Sequence, residues 1–187
     1  MFWLVIGLAL WCGFHLMKRI APALHDRLEA KAGPKGARGV VAAGIGVGLL
    51  LIIVGFRSAP FIPVYTPAAW TVHLNNLLML GAVGLYGASH SKGRIGSLFR
   101  NPMLLGTATW AVAHLLVNGD LASLLLFGVM LVWAVCAIVL INAQDGPWER
   151  PAPGPVKKDI ILVVITLVVF GVIVAIHTWL GYPPFPR

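Results

Sequence analysis

The stretch Arg100–Gly128, RNPMLLGTATWAVAHLLVNGDLASLLLFG, decides how this chain is read. It is apolar enough to lie in a bilayer, yet His114 falls well inside the run, which breaks at Asn118-Gly119-Asp120 and then resumes. An ionisable side chain inside a membrane span is costly and marks a functional site by default. Gly106, Trp110, His114 and Asn118 recur every four residues, so they share one helical face. A gap, a large ring, an imidazole and an amide in succession read as the wall of a cavity. At the break, Gly119 suits a left-handed turn residue and Asp120 suits the N-cap of the following helix.

The rest of the chain extends this reading. With 187 residues, 59% of them hydrophobic, and a mean hydropathy of +0.89, the chain is far more apolar than a soluble domain requires. The expected fold is all-α: a polytopic membrane protein, a six-transmembrane-helix bundle forming one domain over residues 1–187. Its lipid contact is the bilayer itself. The net charge of +8 lies in short gaps between apolar runs rather than on a basic face, which argues against nucleic acid as a partner. Cys12 and Cys136 both sit within apolar runs, so no disulfide framework is expected. The first run is followed, not preceded, by Lys18 and Arg19, so it reads as a retained span rather than a cleaved leader.

Six spans are expected: Phe2–Met17, Val40–Phe56, Pro67–Ser89, Pro102–Asn118, Leu121–Asn142 and Ile160–Leu180. Twelve of the fourteen Lys and Arg residues fall in alternate connections, at 18–38, 92–100 and 150–158. The positive-inside rule puts those connections in the cytoplasm and both termini in the periplasm of a bacterial inner membrane. The first of them, His25–Arg38, carries Gly33-Pro34 and Gly36 and should turn rather than continue as helix. Gly44, Gly46 and Gly48 in the second span allow close helix packing. Pro60, Pro63 and Pro67 make the next connection extended and stiff. Asn75 and Asn76 suit hydrogen bonds between helices, whereas His73 remains open as a ligand, a supporting partner or a bonded core residue. His90 and His177 read as interfacial, the latter in an aromatic belt with Trp179 and Tyr182. Arg100 either follows the positive-inside rule or holds a buried carboxylate.

Span one repeats part of the central motif. GLALWCGFHL and GTATWAVAHL share Gly, Ala, Trp, His and Leu at matching offsets, aligning Gly7, Trp11 and His15 with Gly106, Trp110 and His114. Such similarity arises by chance between Ala/Leu-rich helices, and it also fits an inverted repeat of two three-helix halves. Either way, each helix sets a histidine two turns from a glycine, where a flat ligand could approach the backbone. Histidines on apolar walls beside Gly and Trp suit a haem, with a nearby cation to hold a propionate. A bare zinc or iron site would require carboxylate or thiolate ligands, and no Asp or Glu lies inside any expected span.

The pattern R-x-P-M-x-x-G-x-x-x-W-A-x-A-H-L-L-x-N-G-D-L-A-S-L-L-L-F-G resembles the signature of NnrU-type membrane proteins, relatives of the zeta-carotene isomerases of plants and cyanobacteria. The likeness covers this segment strongly and the first helix weakly. The family usually has Arg-His-Pro where this chain has Arg100-Asn101-Pro102, so the role of that histidine does not carry over. The resemblance implies haem b as cofactor, with His15 and His114 as the metal ligands. It also implies a link to nitrite and nitric oxide metabolism (denitrification), or an isomerase-like activity on a lipid-soluble polyene. The rival expectation is a non-enzymatic membrane partner or assembly factor for a respiratory complex, without cofactor.

Depth offers a second view of the ligand pair. At ~1.5 Å per residue, His15 lies ~20 Å from the periplasmic face and His73 ~9 Å. His114 lies ~12 Å from that face across a ~30 Å core. Resemblance therefore favours His15 as the partner of His114, and depth favours His73.

Overall fold

The structure is a computed structural model and describes residues 1–185. Six α-helices carry the chain: α1 (Phe2–Ile20), α2 (Pro22–Arg57), α3 (Thr71–Ala88), α4 (Pro102–Val117), α5 (Leu121–Asp145) and α6 (Val156–Trp179). Four of them, α1, α2, α5 and α6, are long and apolar enough to cross a membrane. The expectation of six spans is thus corrected to six helices of which four meet that standard. The other two fall short for different reasons. The sixteen residues of α4 rise only ~24 Å against a ~30 Å core. In α3 the first six residues include Thr71, His73, Asn75 and Asn76.

The connection expected to turn over His25–Arg38 is mostly helical. The expected turn is present as a kink: two helical stretches of α2 meet at one non-helical residue, Gly33 (φ 72°, ψ 169°), directly before Pro34. Proline disfavours helical geometry in the residue before it, and glycine alone adopts this positive φ without penalty, so the break is confined to one residue.

Helices α1 and α2 form a tightly packed hairpin. A Cβ on Gly7 would lie 2.6 Å from the Ile52 nitrogen and 2.8 Å from the Gly48 oxygen, and one on Gly48 would lie 2.9 Å from the Trp11 nitrogen. Gly44 admits the Phe14 ring, whereas Gly46 faces open space. In lipid, where no hydrophobic force draws helices together, this backbone proximity is what dispersion acts on. Helix α3 packs on α4 and α6, and α4 packs on α5. Helix α5 joins the two groups by touching α1 and α2, around a core of Leu4, Leu8, Ile52, Ala122 and Met130.

This packing does not follow an inverted repeat of residues 1–90 and 100–187. Such a repeat would equate α1 with α4 and require α1 to meet α6 as α4 meets α3; no extended α1–α6 contact exists. Outward faces are apolar: on α6, Ile160, Val163, Val164, Leu167 and Val168 are all exposed. A continuous apolar face of this kind belongs against lipid.

The charged connections gather at one end, called here the basic end. There Arg19 forms an ion pair with Asp145 (2.6 Å) and bonds Gln144 (3.3 Å), tying α1 to α5. The Asp159 carboxylate accepts the backbone N–H groups of Arg94 (3.2 Å) and Ile95 (3.0 Å). At the opposite end the α2–α3 connection is extended, as its prolines require. Val64 and Tyr65 N–H groups donate to the Gly119 carbonyl (2.8 and 3.1 Å), and Leu121 N–H donates to Ile62 (2.9 Å).

A cavity at the opposite end

Asp120 caps α5 as expected: the Ser123 N–H donates to Asp120 Oδ1 (3.0 Å), and the Ser123 hydroxyl donates to Oδ2 (2.5 Å). Gly119 is there for a different reason from the one its sequence suggests. It is not among the positive-φ glycines, which are Gly33, Gly146 and Gly181. A Cβ at residue 119 would instead overlap the Tyr65 carbonyl. The turn is therefore clamped by a neighbouring segment. The Tyr65 phenol donates to the Leu115 and Asn118 carbonyls, the latter at 3.0 Å. Desolvation, with the Asp120 carboxylate adding to it, raises the Tyr65 pKa, so the phenol stays protonated and keeps donating.

Beneath this clamp lies a cavity of about 930 Å³. His114, Val117 and Asn118 of α4, Ala122 and Phe127 of α5, and Val72 and Asn75 of α3 form its wall. Pro60 and Phe61, with the C-terminal segment Tyr182–Phe185, cover it, and His177 of α6 enters beside that segment. The cover is fastened by two hydrogen bonds: Tyr182 N–H to the His177 carbonyl (2.8 Å) and Asn76 Nδ2 to the Pro184 carbonyl (2.8 Å). Asn76 thus bonds the terminal segment rather than a neighbouring helix. A smaller groove of about 350 Å³ between α3 and α6 contains no titratable side chain.

His114 is held firmly. Its Nδ1 lies 3.0 Å from the Trp110 carbonyl, which can only accept, so Nδ1 carries the proton. In the neutral ring this leaves the lone pair on Nε2, which has no hydrogen-bond partner among the described residues. The Phe127 ring stacks on the imidazole at 4.5 Å, and Trp110 packs at 5.3 Å. A ring fixed through Nδ1–H with Nε2 free is the arrangement that histidine ligands of metals adopt.

The other expected site residues are placed differently. No described histidine is fully buried in the protein: His15 and His73 are exposed, and His114 is partly enclosed. Depth in an apolar run means depth in lipid, and the helices around α1 leave His15 facing outward. His15 belongs to the half nearer the basic end, with Nδ1 on the Trp11 carbonyl (2.9 Å) and its ring 5.2 Å from Trp133 of α5. His114 stacks on Phe127, six residues earlier on α5, hence ~9 Å along that axis and ~120° around it. The two histidines expected as a pair therefore lie on different sides of α5 and share no cavity.

His73 lies near the cavity but does not line it, unlike its neighbours Val72 and Asn75. The gaps expected above Gly7 and Gly106 are filled by helices. Gly7 meets α2, and a Cβ on Gly106 would lie 3.2 Å from the Ala82 oxygen and 3.3 Å from the Tyr86 ring of α3. Arg100 donates to the Gly146 carbonyl (2.8 Å), closing the end of α5 rather than holding a carboxylate. Trp11 and Trp133 pack edge to face at 6.3 Å, and neither indole N–H finds an acceptor. Both cysteines are free, and no cluster of three or more His, Cys, Asp or Glu side chains forms among the described residues.

Sequence reasoning missed the position of His177. An interfacial aromatic belt was a sufficient account of it, and only the packing of α6 on α3 brings it to the cavity that His114 lines. The signal available was its spacing from the end of its helix, within one residue of that of His114. A family model described as NnrU protein matches residues 3–184 of the chain. No curated protein and no solved structure matches it.

Proposed function

Because the chain belongs to the NnrU family, we propose that it is an integral membrane protein that binds haem b in the cavity at its non-basic end, with His114 as an iron ligand. The observation that carries this reading is the state of His114, whose ring is locked by the Trp110 carbonyl and Phe127 while Nε2 is left without a partner. The cavity supports it. At about 930 Å³ it lies in the upper part of the roughly 300–1,000 Å³ range of cofactor and small-molecule sites, and its wall is largely apolar. Bound there, haem supplies a redox-active, Lewis-acidic iron in surroundings of low dielectric. Residues of this chain would hold the group: His114 would orient it, and Phe127, Val72 and Val117 would pack against it.

In this reading the basic end faces the cytoplasm of a bacterial inner membrane, and the cavity sits near the periplasmic face. Family resemblance links the function to nitrite or nitric oxide metabolism, or to isomerisation of a polyene entering from the bilayer. Both links are analogies of family rather than inferences from residues. The test is the visible spectrum of protein purified in mild detergent from haem-supplied cells, with haem quantified after extraction. A Soret band with sharp bands on reduction is expected, and His114→Ala should remove most of the bound haem. A flat spectrum from well-folded wild type would overturn the reading and favour a cofactor-free partner or assembly factor.

A further inference from the structure

We infer that His177, rather than His15 or His73, is the second nitrogen ligand in this cavity, opposite His114. The inference rests on the haem reading above and goes beyond it, because the family resemblance assigns that position to the first helix. Four observations carry it.

The first is shared space: His114 and His177 line the same cavity, and His15 and His73 do not. The second is level. Helices α4 and α6 both start at the basic end, and their histidines lie three and two residues before their last helical residues, Val117 and Trp179. Measured from the helix ends, that is ~4.5 and ~3 Å, so the rings stand at nearly matching heights. His15 is five residues before the end of α1 at the basic end, in the other half of the bundle.

The third observation is the shared anchoring. His177 Nδ1 lies 2.8 Å from the Ile173 carbonyl, as His114 Nδ1 lies 3.0 Å from that of Trp110. In its neutral form each ring therefore keeps the proton on Nδ1 and the lone pair on Nε2. The fourth is a buried acceptor left over in the same cavity. Asn75, only 8% exposed, has its orientation fixed by a chain of amides. Asn76 Nδ2 donates to the Pro184 carbonyl, so Asn76 Oδ1 must accept from Asn75 Nδ2 (3.0 Å), and Asn75 Oδ1 is left without a donor. A buried orphan of this kind costs about 1–3 kcal/mol. The cavity thus presents two imidazole lone pairs and an unsatisfied carbonyl, beside an Asp120 carboxylate that Ser123 already engages. An electron-pair acceptor matches the imidazoles, and a bound group or water bearing O–H or N–H matches Asn75. His177 also begins the covering segment, since its carbonyl accepts from Tyr182, so ligation there ties the cover to the metal.

The experiment compares wild type, His177→Ala and His15→Ala, each purified with haem b and measured by ferric EPR, reduced spectra and carbon monoxide binding. Wild type is expected to be six-coordinate and low-spin. His177→Ala should keep haem on His114, become high-spin and bind carbon monoxide rapidly on reduction, and return to low-spin with added imidazole. That rescue would not follow from a merely structural role. His15→Ala should stay low-spin. If His177→Ala misassembles, His177→Met should still shift the low-spin spectrum towards mixed His/Met ligation. An unchanged bis-imidazole spectrum in both His177 variants, or an imidazole-rescued high-spin form in His15→Ala, overturns the inference and leaves haem binding standing. Wild type without haem overturns both.

Discussion

Replacing Asp120 with alanine tests how the break in the central stretch is built. The carboxylate makes two bonds at the start of α5, one to the Ser123 N–H (3.0 Å) and one to the Ser123 hydroxyl (2.5 Å). Loss of an N-cap costs about 1 kcal/mol, with a range of roughly 0.5–2. Ser123 is 2% exposed, so its hydroxyl would remain buried without a partner, adding about 1 kcal/mol or more. The expected total is about 2–3 kcal/mol. Asp120→Asn keeps an amide oxygen that caps nearly as well, so its loss should be less than half as large. Ser123→Ala should cost about 1 kcal/mol in the wild type but recover about 1 kcal/mol beside Asp120→Ala, because there it removes the stranded hydroxyl. Reversible unfolding in mixed micelles, followed by circular dichroism, would read all four proteins. A loss under 0.5 kcal/mol in Asp120→Ala, or additive losses in the double variant, would refute the reasoning.

Gly119→Ala should lower stability by about 1–3 kcal/mol through contact with the Tyr65 carbonyl, not through backbone strain; thermal unfolding that matches wild type would contradict the clamp. Gly48→Leu should collapse yield by separating α1 from α2, whereas Gly46→Leu, with open space above it, should accumulate normally; fluorescence-detected size exclusion distinguishes them. A reporter fused after residue 187 and a tag inserted beside Gly33 should report opposite sides of the membrane, and the same side for both would refute the charge-based orientation.

The sequence by itself determined the elements. Apolar runs set six helices, and for α4 and α5 the expected starts coincide with those observed. Asp120 announced its cap, the prolines at 60, 63 and 67 announced an extended connection, and Gly33-Pro34 announced a break, though not that helix would continue on both sides. These features are local, so residue type and spacing suffice to read them. The tertiary structure alone decided which residues meet. Lipid is as apolar as leucine, so a hydrophobic helix does not reveal in its sequence which face meets protein and which meets lipid. For that reason His15 read as buried although it faces outward, and the glycines beside the histidines read as ligand gaps although α2 and α3 fill them. For the same reason His177 and Asn75 gave no signal as neighbours of His114. They share its cavity because α3 packs on both α4 and α6, and the C-terminal segment then folds back onto Asn76, a contact 108 residues apart in the chain.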